Sequence, residues 1–126
     1  MCPSLYTAHP AGAHQAEPVV AHASACRLGS DPDVVLVRVS GEIDLDTVHV
    51  VHTALNAYRA RRTVVDLSRC SFADSSLFHA LLDAHRHQHL VLAGPYTRQL
   101  EQVLTLTGAT ALVPLAPDSA AAVRMQ

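Results

Sequence analysis

Residues 63–82 restrict the fold more than any other stretch of the chain. Val64, Val65 and Leu67 make a short apolar run that breaks over residues 66–71, and Phe78, Leu81 and Leu82 then recur at helical spacing behind Asp74, Ser75 and Ser76. This order predicts a strand over 63–67, a loop, and a helix from about Ser75 to His87. Oxygen-bearing side chains at a helix start accept hydrogen bonds from its unpaired N–H groups, so Asp74 or Ser75 is expected as the N-cap. A phosphate on Ser75 would lie near the positive end of the helix dipole, where the fold tolerates it. It would also add about −1.5 to −2 charges beside Asp74, so a partner docked there would meet repulsion and a desolvation cost.

The flanking segments continue the alternation. Residues 19–25 read as a weak strand, 29–33 (Gly-Ser-Asp-Pro-Asp) as a strong turn and 34–39 as a clear strand, which together predict an antiparallel pair. Asp46 or Thr47 is expected to cap a helix with Val48, Val51, Leu55 and Tyr58 on one face. That helix is expected to end at Arg59, Arg61 and Arg62, whose charge suits the C-terminal end of the dipole. Residues 90–93 read as another strand, stopped by Gly94 and Pro95, and 96–107 as a helix with Gly108 at its C′ position. A short final strand is expected over 111–115, and Pro117, Asp118 and Ser119 can start a terminal helix. Residues 1–17 mix Ala, His, Pro, Gly and Ser without a period and are expected to form a flexible tail, leaving 18–126 as one domain. Strands alternating with helices after an opening hairpin imply an α/β fold, a single domain with a mixed, largely parallel β-sheet packed with α-helices.

Composition narrows the functions open to such a domain. With 126 residues, 49% of them hydrophobic, the chain can bury one real core. Its net charge of −2 supplies no basic field, so neither nucleic acid nor a membrane surface is expected as a partner. The first residues have neither a positive n-region nor an apolar h-region, and a cytoplasmic location is expected. Cys2, Cys26 and Cys70 lack C-x-x-C spacing and suggest neither a disulfide framework nor a zinc ribbon. Among nine histidines, His49 and His52 share one expected helix, and His85, His87 and His89 lie at the end of another. The usual third ligand and a flanking catalytic Glu are missing, so no metal site is expected. Ser75 lacks the Gly-x-Ser-x-Gly elbow and Cys70 has no evident base, so the residues point neither to an enzyme nor to a bound cofactor.

Phe72-Ala73-Asp74-Ser75-Ser76, preceded by Gly41-Glu42-Ile43-Asp44, resembles the paired signature of STAS domains, the bacterial anti-sigma-factor antagonists. The likeness continues in Leu90-Val91-Leu92-Ala93-Gly94-Pro95 and in Val103-Leu104-Thr105-Leu106-Thr107-Gly108, and covers about Val19 to Gln126. The resemblance implies a STAS fold and a partner-switching role: the chain binds an anti-sigma factor, itself a serine kinase, and so frees a sigma factor. Phosphorylation of Ser75, with Ser76 as second choice, would break the complex, and a phosphatase would reset Ser75. Carried over residue by residue, the partner surface would comprise Glu42, Asp44, Asp74, Ser75, Ser76, Leu77 and His79, with Asp44 and Asp74 bracketing Ser75. The family usually continues Asp-Ser-Ser-Gly-Leu-Gly, whereas Leu77 and His79 stand here in place of the glycines. That bulk is expected to firm the helix and to crowd the docking surface. The other role the family offers is a non-phosphorylated scaffold, or an accessory subunit of a regulatory or transporter complex.

Overall fold

The computed structural model describes residues 4–8, 21–28, 33–58 and 60–125. Along the chain lie β1 (Ser4–Ala8), β2 (Ala21–Arg27), β3 (Val34–Ile43), α1 (His49–Leu55), β4 (Arg62–Ala73), α2 (Ser75–His85), β5 (His89–Ala93), α3 (Arg98–Leu106), α4 (Ala109–Leu112), β6 (Leu115–Ala116) and α5 (Ser119–Arg124). The strands form one mixed six-stranded sheet in chain order. β1, β2 and β3 pair antiparallel, and β3 to β6 run parallel. This is the α/β fold with a mixed sheet that the alternation predicts.

Alternate residues of each strand feed two separate cores, as the two-residue repeat of a strand requires. On one face Ala21, Ala23 and Ala25 of β2, Val35, Val37 and Val39 of β3, and Val65 and Leu67 of β4 are buried with the apolar sides of α1, α2 and α3. On the other, Val34, Val64, Val91, Ala93 and Ala116 meet Ala122 of α5. Helices α2, α3 and α5 begin at side-chain caps supplied by Asp74, Thr97 and Asp118. Gly108 follows α3 with φ +77°, a left-handed conformation that glycine adopts without a Cβ penalty, as its expected C′ position demands.

Four elements depart from the sequence reading. Residues 4–8, placed within a flexible tail, form β1: Tyr6, half-buried, packs against the main core while Leu5 and Thr7 face outward. The rest of that tail, Val19 and Val20, the turn residues 29–32 and Arg59 lie outside the described residues. Strand β4 does not end at Leu67 but runs on to Ala73, through the segment read as a loop. Its register against β3 slips twice, so that residues 66 to 69 span what 38 to 40 span on β3, and 70 to 72 span 41 to 42. Each slip adds a residue to β4 and breaks the apolar alternation that would have marked a strand. The stray N–H of Ser68 at the first bulge donates to Asp66 Oδ1 at 2.9 Å. Finally, the strand expected over 111–115 begins inside helix α4, and only its last residue, with Ala116, forms the short strand β6. Helix α1 is also shorter than expected: Tyr58 lies beyond it, half-buried, with the Arg27 guanidinium 5.2 Å from its ring centre.

Candidate functional site

Because β3 and β4 are parallel neighbours, their C-terminal ends finish side by side, with Glu42 opposite Phe72 and Ile43 opposite Ala73. An aspartate follows each end. The Asp74 N–H donates to the Ile43 carbonyl at 3.1 Å, which ties the two exits together.

Both aspartates serve the chain that follows them. Asp44 Oδ1 accepts from the N–H groups of Asp46 (2.9 Å) and Thr47 (3.1 Å). The buried Thr47 hydroxyl donates to the Glu42 carbonyl at 2.9 Å and accepts from Asp44 N–H at 2.9 Å. The turn leading into α1 is therefore held by Asp44 and Thr47, but neither of the expected caps, Asp46 or Thr47, caps the helix: Val48 stands at its N-cap position without a side-chain hydrogen bond. At α2, Asp74 accepts from Ser76 N–H at 2.8 Å and also from the Ser76 hydroxyl. Asp74 is thus the cap of the pair proposed from sequence, and Ser76 is engaged by it.

Ser75 is exposed in the first turn of α2, and among the described residues no group engages its hydroxyl. Glu42 and His79 are exposed too. Leu77 is not: with 0% exposure it sits in the main core beside Phe78 and Leu81. This corrects its place on the partner surface. The side chain standing where the family has glycine fills the interior and crowds nothing outside; its spacing of four from Leu81 is the signal that could have shown this.

Two apolar side chains the sequence reading passed over flank the serine's end of the sheet. Leu45, just after Asp44, is 79% exposed, and Phe72, just before Ala73, is 42% exposed. A groove of about 520 Å³ runs between α1 and α2, where Leu45, Val48 and His52 face Ser76, His79 and Ala80. An apolar floor with a polar rim, beside a free hydroxyl, is the make-up of a protein-docking surface. Gln99 of α3 was also missed. Its amide donates to the Ala73 carbonyl at 2.7 Å and accepts from Ala73 N–H at 3.1 Å, clamping the last residue of β4 immediately before the cap. No sequence pattern links positions so far apart.

Cys70, close upstream on β4, is fully buried, and burial pushes its thiol up to about 11. It is a neutral packing group there. Among the described residues, no three or more His, Cys, Asp or Glu side chains gather as a metal site would need, and no helix is long and apolar enough to cross a membrane.

Comparison with known proteins gives these elements relatives. The family described as "Mlab, STAS domain" matches residues 26–114. By structure the chain is similar to an anti-sigma factor antagonist from Mycobacterium paratuberculosis, with a TM-score of 0.67 at 22% identity over 95% of this chain and 92% of that one. It is similar to the anti-sigma factor antagonist SpoIIAA in its unphosphorylated form (TM-score 0.55, 22% identity, 72% of this chain and 86% of that one). It is also similar to the Bacillus cell fate determinant SpoIIAA in the phosphorylated form (TM-score 0.56, 21% identity, 81% and 99%). At such identities the structural likeness is one of fold. A search of the curated proteins finds no match.

Proposed function

The chain belongs to the STAS domain family, a regulatory rather than an enzymatic family, and from that premise we propose that it is an anti-sigma-factor antagonist switched at Ser75. Dephosphorylated, it binds an anti-sigma factor through the α2 start and the α1–α2 groove, and a sigma factor is released. The partner is a serine kinase that brings its own ATP and magnesium. It transfers the terminal phosphoryl group to Ser75 Oγ, the hydroxyl proton is lost, and the complex opens. A phosphatase later removes the phosphate. All of this takes place in the cytoplasm.

One observation supports this reading above the others: at the start of α2 the hydroxyl of Ser76 is held by the cap, while that of Ser75 is exposed and, among the described residues, unengaged. A phosphate on Ser75 stands over N–H groups at the positive end of α2 and leaves the fold intact. It also places charge beside Asp74, at the end of the sheet where Leu45 and Phe72 are exposed and an apolar partner surface would have to be desolvated against it. SpoIIAA, similar in fold, exists in unphosphorylated and phosphorylated forms.

The test is incubation with candidate anti-sigma kinases and ATP, followed by mass spectrometry and pull-down. The expected outcome is a phosphate on Ser75, none on Ser75→Ala, and a complex lost with Ser75→Asp. A complex that forms equally with wild type, Ser75→Ala and Ser75→Asp would instead support a non-phosphorylated scaffold, or an accessory subunit of a regulatory or transporter complex. His79, exposed where the family has glycine, favours that second reading.

A further inference from the structure

Among the described residues, the sheet face away from α1 and α2 is only half covered. Helix α5 lies over Val34, Val64, Val91, Ala93 and Ala116. Beyond it, on β1, β2 and the later parts of β3 and β4, no helix among the described residues packs, and the side chains turn polar. The register sets them out in two rows: Leu5, Ser24, Arg38 and Asp66 in one, and Thr7, His22, Ser40 and Arg69 in the next. Six of these eight, all but Leu5 and Thr7, bear the polar groups of a cavity of about 310 Å³. That volume is at the lower end of small-molecule sites.

The first bulge of β4 builds this arrangement. Without the extra residue, strict alternation from Asp66 would bring Ser68 opposite Ser40; with it, Arg69 stands there. The single acid in the cavity is already engaged: Asp66 Oδ1 accepts from Ser68 N–H, and Oδ2 lies 3.7 Å from Arg38 Nε. That leaves the terminal NH₂ groups of Arg38 and the whole guanidinium of Arg69. The Arg69 guanidinium makes no ion pair or hydrogen bond with any described residue. A local excess of positive charge on a chain of net charge −2 is not a consequence of average composition.

We infer that this open half-face binds a small phosphate-bearing anion, with Arg69 and Arg38 as its cationic ligands and Ser24, Ser40 and His22 as further donors. Guanidinium forks match the spacing of phosphate oxygens and hold them with charge-assisted bonds. Donors from three strands converge on one cavity, which suits the three terminal oxygens of a phosphomonoester better than the two of a planar carboxylate. The site lies across the sheet from α2 and does not depend on Ser75.

Amide chemical-shift titration of the full chain with inorganic phosphate, near neutral pH and at constant ionic strength, tests this, with acetate in parallel. The expected result is a saturable shift centred on Ser24, Arg38, Ser40 and Arg69, weakened about tenfold or more in Arg69→Gln and less in Ser40→Ala. Arg98→Gln, a charge removed from exposed α3, should leave it unchanged. Shifts that are spread over all arginines, unsaturable, matched by acetate or indifferent to Arg69→Gln overturn the proposal. Sedimentation with phosphatidylglycerol vesicles separates the sources of the phosphate. Protein that stays in solution while phosphate binds marks a soluble phosphomonoester; protein that pellets and is released by free phosphate marks a lipid headgroup.

Discussion

Asp74, Ser75, Ser76 and Leu77 are consecutive, yet each has a different physical task, and their substitution costs should differ accordingly. Asp74→Ala removes the cap of α2 and should cost about 1 kcal/mol. Ser75→Ala deletes an exposed hydroxyl and should stay within about 0.5 kcal/mol. Leu77→Ala hollows the core and should cost about 2–5 kcal/mol. Urea unfolding checks the order; a Ser75→Ala loss as large as that of Leu77→Ala would remove Ser75 from the surface. The cap and the free serine were legible in the sequence because capping is local chemistry. Leu77 was not, because the family's glycine at that position obscured its helical spacing to Leu81. A second residue-scale expectation concerns pH. Burial raises the Cys70 thiol from 9.0 to about 11 and the Tyr96 phenol from 10.0 to about 12, so the folded state keeps both protons to higher pH than the unfolded chain does. Their contribution is fully present below about pH 9 and is lost as pH rises, first between 9 and 11 for Cys70 and then between 10 and 12 for Tyr96. For Cys70 the full loss is on the order of 3 kcal/mol, because each tenfold difference in proton affinity between the folded and unfolded chain is worth about 1.4 kcal/mol. Unfolding free energies measured from neutral to alkaline pH should show a flat region followed by a fall, and Cys70→Ala should remove the early part of that fall.

Element by element, periodicity served well where one strand or helix keeps one face buried and failed where that alternation is interrupted. Residues 34–39, 63–67 and 90–93 were legible as strands, and α2 and α3 as helices, because their apolar spacing is unbroken. The second half of β4 was not legible, since two bulges shift its inward residues to Cys70 and Ala73, out of step with Val65 and Leu67. Nor was α4, a short helical turn whose buried residue Ala109, with buried Val113 just beyond it, reads equally well as strand. The extension of β4 decides where the site stands, because it carries the chain to Ala73 before α2 can begin. Gln99 secures that end with two hydrogen bonds from another helix. Gln99→Ala should therefore cost about 1–3 kcal/mol for a pair of net hydrogen bonds and should speed amide exchange at Ala73 and Asp74 more than at Val64 or Val65. A stability loss without that local change in exchange would mean that the glutamine supports the fold generally and not the entry to α2.

At the scale of the whole molecule, the sheet is supported unevenly from one side to the other. Its centre, β5 with the first parts of β3 and β4, is buried on both faces by α1, α2, α3 and α5, as parallel strands require. Its antiparallel flank has helix α1 on one face, while β1 is an outer strand that adds Tyr6 to the core and leaves Leu5 62% exposed. Regions with few buried apolar contacts open locally at a smaller free energy than global unfolding demands. Native-state hydrogen exchange should accordingly rank the strands: amides of Val64, Val65 and Leu67 in β4 open with the whole domain, and those of Tyr6 and Thr7 open alone and sooner. The ranking also bears on how two surfaces can coexist on so small a chain. The Ser75 end of β4 and the arginine-lined half-face share that strand, but they lie across the sheet from one another, and only the second includes the weakly held flank. If β1 proves as protected as β4, the flank is rigid, and the half-face cavity is a fixed surface whose ligand could be recognised without any movement of the outer strand.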